Sequence, residues 1–90
     1  MYEIRVSNRF KKQVKLCEKR GYDLALLEQA IAILAEAGTL PAAYRAHKLS
    51  GSYSGYWECH IKGDWLLIWE QNDLELFLLF TGTGTHSDLF

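Results

Sequence analysis

The sequence is constrained most by a run of large apolar residues, Trp65–Trp69, in which no position is polar. Successive side chains of a β-strand point to opposite faces of the sheet, so a run that is apolar throughout is typical of a strand covered on both sides. The segment Leu74–Phe80 repeats this two-sided pattern after a polar turn at Gln71-Asn72-Asp73. We therefore predict a sheet whose central strands pack against other elements on both faces.

Two amphipathic helices are predicted before this sheet, because apolar residues recur there at helical spacing behind residues that favour helix caps. Pro41 prevents the second helix from continuing. The elements predicted ahead of the apolar run are a strand over Tyr2–Val6, a helix from Ser7 or Asn8 to about Arg20, a helix from Asp23 to Gly38, and a strand over Tyr56–Ile61.

The fold class follows from the order of these elements, β-α-α-β-β-β. Runs of helices followed by runs of strands are typical of α+β proteins. We predict two N-terminal helices packed on a mainly antiparallel four-stranded sheet. Ninety residues suffice for one domain, which spans residues 1–90.

The charges are divided unevenly along the chain. Residues 1–48 carry nine basic and five acidic side chains, a net charge of +4, whereas residues 49–90 carry one basic and six acidic side chains, a net charge of −5. The total of −1 is unlike the strongly basic balance of proteins that depend on non-specific nucleic-acid affinity. A polyanionic partner is therefore expected to contact one face only.

The expected location is the cytoplasm. No apolar run approaches the ~18 residues that a membrane span requires, so no membrane partner is predicted. The two cysteines, Cys17 and Cys59, cannot form the framework of a secreted disulfide-rich domain.

The candidate acid–base groups are three histidines, His47, His60 and His86, all in the second half of the chain. Imidazole titrates near neutral pH and serves as a general acid or base. His60 is predicted on the polar face of its strand, with Asp64 beyond the next turn, and His86 in a loop that contains glycine. The alternative is that all three are solvated and have no catalytic role.

A zinc site is the competing interpretation, and strand alternation argues against it. The neighbours Cys59 and His60 are predicted to point to opposite faces, and no C-x-x-C or H-x-x-x-H spacing occurs. Cys59 is expected in the core. The segment Gly82–Thr85 matches neither common phosphate-loop pattern. We therefore predict no metal and no other cofactor.

Three segments carry motifs that are specific in combination. Leu40–His60 fits L-P-x-x-Y-x-x-H-x-L-x-G-x-x-x-G-Y-x-x-x-H, Asp64–Trp69 fits D-W-x-L-I-Y/W, and Thr83–Phe90 fits T-G-T-H-x-x-L-F. Together they resemble the signature of the YafQ-type toxins, which belong to the RelE superfamily of bacterial toxin–antitoxin systems. The resemblance extends over essentially the whole chain.

The resemblance implies a RelE-like fold and a ribosome-dependent mRNA endoribonuclease. Such an enzyme would cleave by metal-free general acid–base transfer and leave a 2′,3′-cyclic phosphate. It also implies a cognate antitoxin of the DinJ/RelB type, with operator DNA bound only through the toxin–antitoxin complex.

The resemblance also implies roles for individual residues. His86 is expected to act as general acid or phosphate contact, while His60 and Asp64 share the role of base. His47 is expected to support the substrate or the transition state. The aromatic side chains expected to hold a base are Trp65 and Phe90.

The sequence departs from the resemblance at Gly82, where the family commonly has an arginine. Such an arginine would stabilise the charge that develops on the scissile phosphate. Two interpretations stay open. Either Arg45, Lys48 or Lys62 supplies the charge, or the chain is a weakened toxin homologue that acts in antitoxin binding and operon autoregulation. On the resemblance, an arginine at position 82 would raise cleavage.

Overall fold

The computed structural model describes residues 1–90 and contains three helices and five strands. The helices are α1 (Asn8–Lys19), α2 (Leu24–Ala37) and α3 (His86–Leu89), and short 3-10 turns cover Ala42–Tyr44 and Gly51–Tyr53. The strands are β1 (Glu3–Val6), β2 (His47–Lys48), β3 (Trp57–Lys62), β4 (Trp65–Asn72) and β5 (Phe77–Gly84).

The strands form one mixed sheet in the order β1-β5-β4-β3-β2. β1 lies parallel to β5, and the other neighbours are antiparallel. The predicted α+β class is confirmed, but the prediction of four strands was one too few. The additional strand, β2, is only two residues long and pairs with Trp57 and Glu58 of β3, so it is too short to show an alternating pattern.

Local capping signals fix both long helices close to their predicted bounds. Ser7 precedes α1, and its hydroxyl accepts a hydrogen bond from the Phe10 amide at 3.1 Å. α2 ends at Gly38, which has a left-handed φ of 72°. A side chain there would also collide with Tyr2, whose hydroxyl lies 2.6 Å from the position of a Cβ atom. Gly38 therefore both ends the helix and lets β1 approach it.

Both faces of the central strand β4 are covered, as the apolar run predicted. All five residues of Trp65–Trp69 are buried. Trp65, Leu67 and Trp69 pack with residues of α1 and α2 on one face of the sheet, called here the helix face. Leu66 and Ile68 pack with Leu89 of α3 on the opposite face, called here the α3 face.

The turn between β4 and β5 lies later than predicted. β4 continues to Asn72, whose side-chain oxygen accepts hydrogen bonds from the amides of Leu74 and Glu75 at 3.0 and 2.8 Å. Leu74 is 96% exposed and Leu76 has a left-handed φ of 55°. The prediction that β5 begins at Leu74 is therefore wrong, because the first apolar residues of that segment form the turn.

An irregularity in β5 determines which residues reach the α3 face. Trp69 pairs with Phe80 while its neighbour Ile68 pairs with Gly82, so Thr81 is an additional residue in β5. Such a bulge reverses the alternation of side chains beyond it. Phe80 and Thr83 consequently both lie on the helix face, and Gly82 lies on the α3 face.

None of the three helices is long and apolar enough to cross a membrane.

Candidate active site

Two cross-strand rows bring distant parts of the sequence together on the α3 face. His47, Glu58, Ile68 and Gly82 are paired in register across β2, β3, β4 and β5. The neighbouring row contains His60, Leu66 and Gly84. Neighbouring strands are spaced by ~4.8 Å, so each row extends over a length suited to a short stretch of RNA backbone.

His86 and Asp64 form the closest polar contact of this face. His86 Nδ1 lies 2.5 Å from Asp64 Oδ1, and the two side chains are 60% and 58% exposed. The hydrogen bond from His86 holds the pKa of the Asp64 carboxyl below its usual value. A proton on Nδ1 leaves Nε2 free to exchange a proton with a substrate, which is how a carboxylate orients a catalytic imidazole.

The short helix α3 that begins with His86 is held by Asp88. Thr85 caps the helix, and Asp88 completes a reciprocal capping box by accepting a hydrogen bond from the Thr85 amide at 2.8 Å. Arg20, at the end of α1, donates to both carboxylate oxygens of Asp88 at 2.6 and 3.0 Å. This charge-assisted bond holds the pKa of Asp88 well below its usual range. α1 and α3 are thus fixed to each other beside His86.

His47 lies between two hydrogen-bond acceptors. Its Nδ1 is 2.9 Å from the carbonyl oxygen of Arg45, and its Nε2 is 3.3 Å from Glu58 Oε1. Glu58 is only 5% exposed, although it is an acidic residue. The Arg45 carbonyl accepts hydrogen bonds, and the Glu58 carboxylate lies within ion-pair distance of the ring. His47 can therefore carry a positive charge that Glu58 balances.

His60 lies on the α3 face but is not bonded to Asp64. Its only polar contact is a long one of 3.5 Å between Nδ1 and the Gly63 carbonyl oxygen. The strand is irregular between His60 and Lys62. Since Asp64 is engaged by His86, the geometry separates the two residues that were expected to share the role of base.

Phe90 lies beside His86 at the edge of the α3 face. Its ring is 50% exposed and makes an edge contact with Tyr53 at a centroid distance of 4.8 Å. The His86 ring lies 6.0 Å from the Phe90 ring. This position makes Phe90 available for stacking on a nucleobase.

Trp65, the other predicted base contact, packs on the helix face. It is 5% exposed, packs against Tyr22 at 4.9 Å, and donates to the Thr83 hydroxyl at 2.9 Å. Its remaining accessible edge lines a cavity of about 410 Å³ together with Lys62 and Asp64. The structure thus places Trp65 next to Asp64 in the chain but on the other side of the sheet from His60.

The cationic residues proposed to replace an arginine at position 82 are dispersed. Lys48 lies over the Trp57 ring at 5.6 Å, on the face opposite to His47. Arg45 has a left-handed φ of 50° and contributes its carbonyl to His47. Lys62 belongs to the cavity beside Trp65. None of these three lines the cavity that Gly82 lines.

The backbone of Gly82 does not require glycine, but its surroundings are crowded. Its φ lies outside the left-handed region, whereas a Cβ atom would lie 3.0 Å from Leu89 Cδ2 and 3.4 Å from Gln13 Oε1. A side chain at this position would have to displace flexible neighbours.

Comparisons with known proteins agree with this architecture along the whole chain. Residues 2–90 match the family model described as a bacterial toxin of type II toxin–antitoxin systems, YafQ. The chain belongs to the YafQ family. The mRNA interferase toxin YafQ of Escherichia coli K12 is 39% identical to it over 89 residues, which cover 98% of this chain and 95% of the relative.

Solved structures of relatives place the fold in the same family. The Escherichia coli DinJ–YafQ complex contains a chain that is 38% identical, with a TM-score of 0.90 and coverage of 100% of this chain and 99% of that one. A metal-bound toxin from Helicobacter pylori is 37% identical, with a TM-score of 0.90 and full coverage of both chains. In this YafQ-family chain, no three His, Cys, Asp or Glu side chains converge in a way that could hold a metal ion.

Sequence reasoning missed two residues that position the histidines of this YafQ-family chain. Asp88 was read only as part of a final turn, although Thr85-His86-Ser87-Asp88 is the T-x-x-D pattern of a capping box. Glu58 was noted only as a polar-face neighbour of His60. No local signal assigns Glu58 to His47, since the contact depends on the register of β2 against β3.

Proposed function

We propose that the chain is a ribosome-dependent mRNA endoribonuclease that cleaves by acid–base transfer. The observation that carries this proposal is the pair His86 and Asp64, joined at 2.5 Å at the exposed start of α3. The relative named as an mRNA interferase toxin supports the same class of reaction. The RNA 2′-hydroxyl attacks the adjacent phosphorus, the P–O5′ bond breaks, and the products are a 2′,3′-cyclic phosphate and a 5′-hydroxyl end.

His86 is assigned the role of general acid. Asp64 accepts the Nδ1 hydrogen bond and keeps a proton on that atom, so the protonated ring gives its Nε2 proton to the departing 5′ oxygen. Asp64 is then a positioning residue. His60, on the neighbouring row of the α3 face, remains as the group that takes the 2′-hydroxyl proton. Each proton transfer of this kind is worth roughly 10²–10⁴ in rate.

His47 is assigned an electrostatic role. With Nδ1 beside the Arg45 carbonyl and Nε2 3.3 Å from Glu58 Oε1, the ring is held in place before substrate arrives, and in its protonated form it would carry a charge of fixed position. A preorganised charge stabilises the phosphorane more effectively than one that must reorient during the reaction. Phe90 holds the nucleobase next to the scissile phosphate.

No step of this mechanism is assigned to a metal ion. The metal in the Helicobacter pylori toxin belongs to that protein, and the side chains of this chain offer no converging set of ligands. His60 and His86 together complete the proton balance of the reaction, since His60 takes one proton from the 2′-hydroxyl and His86 gives one to the 5′ oxygen.

The antitoxin proposed for this chain resembles DinJ. The relative with which DinJ forms a complex shares the fold over the full length. The net charge of +4 on residues 1–48 favours an acidic antitoxin segment laid along α1. Occlusion of the α3 face by such a segment would neutralise the enzyme.

The test uses purified chain, ribosomes programmed with a defined mRNA, and analysis of the product ends. We expect cleavage with ribosomes at the magnesium concentration that keeps them intact, a 2′,3′-cyclic phosphate end, no increase in rate when a transition-metal ion is added, and suppression by the antitoxin. Cleavage that requires an added divalent ion beyond the ribosome's own magnesium would contradict the acid–base mechanism. The second candidate, an antitoxin-binding module, is favoured by Gly82, and antitoxin binding without any cleavage would establish it in place of the enzyme.

A further inference from the structure

A small cavity beside Gly82 has no role in the mechanism proposed above. It has a volume of about 110 Å³ and lies at the boundary between α1 and the α3 face. Ligand pockets for drug-sized molecules begin near ~300 Å³, so this cavity suits one small group and not a whole nucleoside. Its lining consists of Arg9, Tyr53, Tyr56, Ile68, Thr81 and Gly82.

Arg9 gives the cavity a positive charge that no acidic residue neutralises. The four ion pairs of the chain use other residues, among them Arg5 with Glu3 and Arg20 with Asp88. The first turn of α1, in which Arg9 lies, contains no acidic residue. Arg20 is committed to Asp88, whereas Arg9 is free to bind an external anion.

The remaining lining residues suit a charged oxygen ligand. Gly82 has no side chain to fill the space, and Tyr53 is a lining residue with a hydroxyl group, whereas the Thr81 hydroxyl donates to the Ile68 carbonyl at 3.4 Å. Glu70 near the Tyr56 hydroxyl raises the pKa of Tyr56, which keeps its proton on the phenol. Glu70 itself does not line the cavity, so its carboxylate does not face the space where a ligand would lie.

Aromatic contacts connect one wall of the cavity to the proposed catalytic groups. Tyr53 forms one wall of the cavity and touches Phe90 at a centroid distance of 4.8 Å. Phe90 in turn lies 6.0 Å from His86. Phosphates follow one another at short, regular spacing along an RNA strand, so this arrangement allows one strand to contact both the cavity and His86.

We propose that this cavity is a phosphate subsite in which the Arg9 guanidinium binds the RNA backbone. An arginine at position 82 would contribute its guanidinium from β5. In this chain Arg9 contributes the guanidinium from α1, on the opposite side of the same cavity. A planar guanidinium offers two parallel donors to a phosphate, which a lysine does not. The proposal rests on the ribonuclease function proposed above.

The test compares Arg9→Gln with Lys12→Gln, which removes the same charge from the same helix at a position that lines no cavity described above. Two assays are used for each variant. One is single-turnover cleavage of mRNA on programmed ribosomes. The other is binding to ribosomes programmed with an mRNA that carries a 2′-deoxy nucleotide at the cleavage position, which cannot react.

For Arg9→Gln we expect at least a tenfold loss of cleavage and of binding to the uncleavable complex, with the melting temperature unchanged. The slope of the logarithm of the binding constant against the logarithm of the salt concentration should become shallower by about 0.7, the value for one phosphate contact on a single strand. Arg9→Lys should recover only part of the loss. Equal behaviour of Arg9→Gln and Lys12→Gln in both assays would overturn the proposal, as would a fall in melting temperature that parallels the loss of activity.

The two proposals fail in different ways. If the unmodified chain binds the uncleavable complex but never cleaves mRNA, the ribonuclease function fails, and the binding assay still decides whether Arg9 contacts a phosphate. If the unmodified chain cleaves and Arg9→Gln cleaves equally well, only the subsite fails.

Discussion

Arg20 and Asp88 are 68 residues apart in sequence, and two hydrogen bonds of 2.6 and 3.0 Å connect them. The pair joins the end of α1 to the helix that begins with His86. Because Asp88 also caps α3 through the Thr85 amide, the position of the imidazole proposed as general acid depends on an arginine at the end of another helix.

We expect Arg20→Gln to lower cleavage by about tenfold, since a small misplacement of a catalytic group has effects of this order or larger. The loss should fall on kcat more than on KM. The matched control is Arg5→Gln, which breaks the exposed pair between Arg5 and Glu3. Single-turnover rates that are equal for the two variants would refute a positioning role for Arg20.

The pair His86 and Asp64 predicts non-additive losses. His86→Ala should reduce cleavage by at least ~10², the lower end for loss of an acid–base group, without lowering the melting temperature. Asp64→Asn should reduce it by a smaller factor, because it leaves His86 in place but no longer holds the required tautomer. The double variant should be no slower than His86→Ala, since residues that act as a unit are not additive. Fully additive losses would show that Asp64 acts through some other group.

Gly82→Arg is predicted to be neutral or harmful, although the resemblance to other family members suggests a gain. The new Cβ atom would crowd Leu89 and Gln13, and overpacking of this kind costs about 1–3 kcal/mol. A second guanidinium would also compete with Arg9 for the same cavity. Thermal unfolding and cleavage assays check both effects, and a tenfold increase in cleavage would contradict the expectation.

Stability should depend on pH through Asp88. Hydrogen bonds to Arg20 and to the Thr85 amide lower its pKa in the folded state, so its contribution to stability is fully present above the unfolded pKa of ~3.9 and is lost as the pH falls toward the folded value. The melting temperature should therefore decline below about pH 4 more steeply for the unmodified chain than for Asp88→Asn. Parallel curves for the two proteins would contradict this assignment.

The parts of the fold that were predictable depend on local chemistry. The caps at Ser7 and Gly38 bound the helices in the sequence as they do in the structure. The two-sided apolar run Trp65–Trp69 identified the central strand, because burial on both faces leaves no room for alternation. The type and order of the main elements follow from such signals.

The errors arose where tertiary contacts decide. Leu74 continues an apolar pattern, yet the Asn72 side chain binds the next amides and turns the chain there. The two residues of β2 acquire strand geometry only by pairing with β3. The packing of Trp65 against Tyr22 likewise depends on alternation along β4, and its expected contact with a nucleobase stays a prediction. The contact between Arg20 and Asp88 has no local signal in the sequence, because only the folded chain brings Asp88 to Arg20.

The additional residue in β5 makes the length of that strand as important as its composition. Without Thr81, every residue from 82 onward would rotate to the other face of the sheet. The Thr83 hydroxyl would lose the Trp65 indole, and the turn that leads to His86 would leave from the wrong side. The insertion or deletion of a single residue in this strand would therefore exchange the residues of the core with those of the α3 face in one step.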